Sequence, residues 1–111
     1  MIEAIILNHL KSKLTVPVRL EKPEPPPPEY VLFEKIGSSR NNHLLSTTLA
    51  FQSYSESMYG AAALNELVKQ AVDSLIELDE IASVRLNSDY NFTDTTTKKY
   101  RYQAVYGIKH Y

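Results

Sequence analysis

Few side chains in this sequence are spaced to do chemistry. The three histidines, His9, His43 and His110, stand far apart, and none has a second imidazole or a carboxylate three or four residues away, the spacing a helical zinc site uses. Cysteine is absent, which removes thiolate metal sites, thiol nucleophiles and disulfides together and fits folding in a reducing compartment. Gly37, Gly60 and Gly107 are too scattered to write a phosphate-cradling loop. Asp79 and Glu80 adjoin, but neighbouring residues at a helix end mark a boundary more readily than an acid/base pair, and no nucleophile elbow occurs. Lys98-Lys99-Tyr100-Arg101-Tyr102 interleaves cations with aromatics as a single-strand-binding surface would. Strand alternation offers a plainer account, with Tyr100 and Tyr102 toward a core and Lys99 and Arg101 toward solvent. The residues call for no metal, no cofactor and no catalysis.

Charge and composition agree. Twelve Lys+Arg against thirteen Asp+Glu leave a net charge of −1, so there is no basic field to hold a phosphate backbone. A chain of 111 residues, 43% hydrophobic and 23% charged, has ordinary globular composition and length for one domain, expected over 1–111. Its longest apolar run near the start, Ala4-Ile5-Ile6-Leu7, is far short of a membrane span or a signal-peptide core. Eight tyrosines and three phenylalanines, with no tryptophan, favour contact surfaces, because tyrosine supplies large area at low entropic cost.

The elements that must position these residues follow from periodicity. Residues 1–14 carry Ile2, Ile6 and Leu10 on one stripe, with Lys11 and Lys13 at the negative end of the dipole, and predict an amphipathic helix. Thr15–Leu20 predicts a short edge strand, since Pro17 cannot donate to a ladder. Residues 21–29 hold five of the six prolines and predict a stiff extended loop between strands; a ligand for a proline-recognising groove is the alternative. Tyr30–Ile36 and His43–Ser53 predict a hairpin around a turn at Gly37–Asn42, with Leu45, Thr47, Leu49 and Phe51 on one face. Glu56–Leu78 predicts a long helix capped by Ser55 or Ser57. Its stripe is Ala61, Leu64, Val68, Ala71, Leu75 and Leu78, widened by Leu67, Val72 and Ile76. Two closing strands follow across the polar connection Thr93–Lys98. Val84, Leu86, Tyr90 and Phe92 should share the apolar face of the first, and Tyr100, Tyr102, Ala104, Tyr106 and Ile108 that of the second. The order α-β-β-β-α-β-β is that of an α+β fold with two helices on one face of a mainly antiparallel sheet.

Taken together, the opening helix Met1-Ile2-Glu3-Ala4-Ile5-Ile6, the edge strand Val16-Pro17-Val18 with its proline-rich loop, and the hairpin through Thr47–Tyr54 resemble a known family. With the helix Ala61–Leu78 and a closing hairpin ending Tyr102-Gln103-Ala104-Val105-Tyr106, the chain resembles the small tail-terminator or tail-completion proteins of long-tailed phages and prophages. The resemblance covers nearly the whole chain. It implies a virion structural protein at the head–tail interface, made in the host cytoplasm, with no enzymatic activity, no cofactor and no membrane association. The implied partners are further copies of itself in a hexameric ring, the tail tube protein, the head-completion (stopper) protein, and DNA only as cargo in the lumen. A conduit for DNA should not be basic, because neutralising several phosphates would grip the passing duplex. Glu24, Glu29, Asp89 and Asp94 are accordingly the expected lumen or partner contacts. Two other readings stay open: a head-completion, adaptor or generic interaction module, and a small enzyme whose site forms between subunits.

Overall fold

In the computed structural model, which describes every residue except Thr95 and Lys98, the chain is an α+β fold. The elements are α1 (Ile2–Lys13), β1 (Val18–Arg19), β2 (Tyr30–Asn41), β3 (Leu44–Ser55), α2 (Met58–Asp73), a 3₁₀ turn (Ser74–Glu77), β4 (Ile81–Asn91) and β5 (Tyr100–His110). The five strands lie in the order β1-β2-β3-β5-β4, antiparallel throughout except for β1, which pairs with β2 in parallel.

Both helices cover one face. Ile2, Ile6 and Leu10 of α1 and Leu64, Val68, Val72 and Leu75 of the second helical segment join Phe33, Leu49, Phe51, Tyr106 and Ile108 in a single core. Phe51 stacks on Phe33 at 5.3 Å and meets the edge of Tyr106 at 5.8 Å. The Tyr106 hydroxyl donates to Asp73 Oδ1 at 3.0 Å, which satisfies its one polar atom inside the core. Ser57 is the cap of α2: its hydroxyl accepts the Gly60 N–H at 2.9 Å. Gly60 leaves room there for the Ser55 and Ser57 hydroxyls, which an added side chain would displace.

The structure departs from the sequence reading in four places. The Gly37–Asn42 segment is not a turn: β2 runs on to Asn41, and the reversal is made by Asn42 and His43 alone, both at positive φ (52° and 70°). Two residues with φ > 0 define the primed turn whose twist matches a hairpin. The α-helix is shorter than Glu56–Leu78, tightening to 3₁₀ from Ser74. Leu67 of α2 and Ile76 of the 3₁₀ turn, expected to widen the buried stripe, are 53% and 51% exposed; α2 packs on β3 and β5 through Leu64, Val68 and Val72 and leaves Leu67 outside that contact. Finally, a β-bulge between Leu86 and Ser88 reverses the alternation of β4. Asp89 and Asn91, not Tyr90 and Phe92, then pair with the core-face positions Ala104 and Tyr102. Tyr90 and Phe92 emerge on the face without helices.

Beyond Phe33, every residue of β2 is exposed, whereas its partner β3 stays paired with β5 as far as Leu45 and keeps Thr47 and Leu49 buried. The molecule measures 44 × 25 × 23 Å.

Candidate functional site

The four expected contact carboxylates do not converge. Asp89 lies on the helix side of the sheet, where its carboxylate accepts from Asn65 Nδ2 at 2.7 Å and pairs with Lys69, which also meets Glu66 at 2.8 Å. Both carboxylates hold the Lys69 ammonium above the usual lysine range, the Asp89 hydrogen bond most of all. Asp89 is thus a tie between β4 and α2. The other three gather at the end of the sheet opposite the Asn42-His43 turn. Glu24 is exposed in the proline loop. Glu29 accepts from the Ser55 hydroxyl at 3.1 Å. Asp94 closes the β4–β5 connection: its carboxylate accepts the Thr96 N–H at 2.9 Å, and this bond with the Thr97 hydroxyl holds it below the usual aspartate range.

The same end carries an aromatic cluster. Tyr30 and Tyr54 stack at 4.5 Å, 9° from parallel, and floor a cleft of about 290 Å³ walled by Pro26, Pro27 and Pro28 and rimmed by Lys99. The proline loop is therefore folded onto the sheet. From Tyr54 a directed chain of hydrogen bonds crosses the face without helices. Arg101 Nη1 donates to the Tyr54 hydroxyl (3.0 Å), which donates to Gln52 Oε1 (3.0 Å). Gln52 Nε2 donates to Gln103 Oε1 (2.8 Å), and Gln103 Nε2 to the Tyr90 hydroxyl. The Arg101 guanidinium also lies 4.3 Å over the Phe92 ring and donates to the Phe92 carbonyl at 2.6 Å. Arg101, the centre of the basic run, is held among aromatics on its own sheet; Lys98 of that run lies outside the described residues. Sequence alternation puts Gln52 with Tyr54 and Arg101 with Gln103, but their alignment required the β3–β5 register, and Tyr90 joined them only through the bulge.

The most extensive unpaired groups are backbone. β1 covers β2 only at Val31 and Leu32, so the outer edge of β2 from Phe33 to Asn41 has no strand partner among the described residues. β4, at the other side of the sheet, has no strand partner along its outer edge among the described residues. Each edge has a bulge with an apolar side chain beside it: Ile36 on β2, 55% exposed, and Leu86 on β4, 43% exposed.

His9 bonds Ser74 Oγ at 2.7 Å and His110 bonds Thr47 Oγ1 at 2.8 Å. Among the described residues no three His, Asp or Glu side chains gather in a metal-binding group, and no helix is long and apolar enough to cross a membrane. No protein-family model matches the chain, and comparison with curated proteins returns no match.

Proposed function

We propose that this protein is a structural assembly unit that closes with copies of itself into a ring, caps the end of a phage tail tube and presents the surface on which the head-completion protein docks. The observation that carries the reading is the pair of open edges, β2 and β4, on opposite sides of one sheet. Two different edges favour head-to-tail association, which closes into a ring when the rotation between copies permits it. The strand directions are suited to this. β2, β3, β5 and β4 alternate, so β4 runs opposite to β2. A neighbour related by rotation about an axis along the strands sets its β2 antiparallel to this β4, the pattern already used within the sheet. Bulges on both edges interrupt long unbroken pairing, the device that guards exposed strands against unlimited stacking. Glu24, Glu29 and Asp94, grouped by the proline loop, supply a carboxylate-bearing end for partners.

Mass measured across a concentration series, with negative-stain images and addition to polymerising tail-tube protein, tests the reading. Closed rings of about six copies and tubes stopped at one end are the expected result. A monomer at every concentration that leaves the tubes growing would overturn it and favour an adaptor module.

A further inference from the structure

We propose that the open face of the sheet holds a phosphate group in a cup centred on Gly107. Two cross-strand rows build the cup. Ser46, Lys109 and Ser83 stand side by side on β3, β5 and β4, and Thr48, Gly107 and Arg85 form the next row. Gly107 leaves the middle of its row bare, so the floor is strand backbone, and the depression of about 420 Å³ is bounded by Arg85, Lys109 and the three hydroxyl residues. Asn87, the residue extruded by the β4 bulge, brings its amide to the rim: its Nδ2 lies 3.5 Å from where a Gly107 side chain would begin. Bulges recur where a strand re-aims a side chain beside a binding site.

The chemistry of the lining selects the ligand. An arginine and a lysine line the depression beside neutral hydroxyl residues, and among the described residues no carboxylate lines it. Among the described residues neither Arg85 nor Lys109 takes part in an ion pair, whereas Lys35 and Lys69 each have a carboxylate partner. A tetrahedral oxyanion fits this set. Arginine offers a planar fork for two oxygens, lysine a compact point charge, and the hydroxyls can donate to those that remain. The site faces solvent on one side, so its affinity falls with ionic strength. A free phosphate and a nucleic-acid phosphodiester present the same non-bridging oxygens and are the two sources of this ligand. The site does not depend on self-association.

Amide NMR spectra of the full chain, titrated with inorganic phosphate and then with a short DNA duplex at constant ionic strength, test the proposal. Saturable shifts centred on Thr48, Arg85 and Gly107 are expected, weakened roughly tenfold in Arg85→Ala and in Lys109→Ala, since a hydrogen bond to a charged group is worth about that much. Gly107→Val should block the cup. Gly107→Ala places its added methyl at an ordinary contact distance from Asn87, so it keeps the fold while shallowing the site, and a thermal melt confirms this. Shifts with inorganic phosphate alone assign a free or monoester phosphate; localised shifts with the duplex that vanish in Arg85→Ala assign the backbone. Absence of localised, saturable shifts with either, or shifts unchanged in Arg85→Ala and Gly107→Ala, would overturn the proposal.

Discussion

His9 joins the first helix to the turn that ends the second, through its bond to Ser74. Burial, and then Lys13, hold its pKa below the ordinary 6.5, with Glu77 partly opposing. The unfolded chain therefore binds this proton more readily than the folded one. Stability from His9 is complete above pH 6.5 and is lost as the pH falls from there through the folded pKa. Urea midpoints measured between neutral and mildly acidic pH should fall, and His9→Gln, which can keep a bond to Ser74, should flatten that fall. The Asp89 carboxylate is the second residue whose environment decides its role. Asp89→Ala would leave Lys69 with Glu66 alone and strand the buried Asn65 amide, costing about 1–3 kcal/mol in urea unfolding. Nothing in the local pattern Asn87-Ser88-Asp89-Tyr90 distinguishes a solvated aspartate from a strand-to-helix tie; only the bulge and the placement of α2 do.

At the scale of elements, the buried stripe of the second helix was legible in its spacing: Ala61, Leu64, Val68, Ala71 and Leu75 are all in the core. Leu75, fully buried, should lose about 2–5 kcal/mol on replacement by alanine, by cavity formation. Its neighbour Ile76, half exposed, should fall within about 0.5 kcal/mol of the parent in the same assay. The tip of the β2–β3 hairpin is not legible in the sequence, because Gly37-Ser38-Ser39-Arg40-Asn41-Asn42 has turn composition throughout, and composition cannot place a two-residue reversal within it. The pairing of Asn41 with Leu44 does, and it leaves His43 at φ 70°. Glycine carries no steric penalty there, so His43→Gly should raise stability by about 1 kcal/mol, read as a shift of the thermal midpoint.

For the whole molecule, head-to-tail closure through β2 and β4 makes a prediction that a symmetric dimer does not. Ile36→Lys blocks one edge and Leu86→Lys the other, and neither residue is in the core, so each variant should fold as a monomer. Mixing the two leaves one intact edge on each chain, and native mass spectrometry should then find heterodimers and nothing larger. A homodimer of either variant would show that like edges meet, which is incompatible with ring closure by this route.

Sequence by itself determined the two helices, the succession α-β-β-β-α-β-β along the chain and most of the apolar set that unites these elements, because periodicity records which side of each element leaves water. It also determined that residues 21–29 form neither helix nor strand, since prolines withhold the backbone donors that both need. Tertiary structure alone decided where β4 reverses its faces, which aspartate is tied to a helix, and how Ser46, Lys109, Ser83, Thr48, Gly107 and Arg85 come to share one patch. Those outcomes turn on a bulge and on the register between strands remote in sequence, and a one-residue slip in either exchanges every side chain between the faces of the sheet.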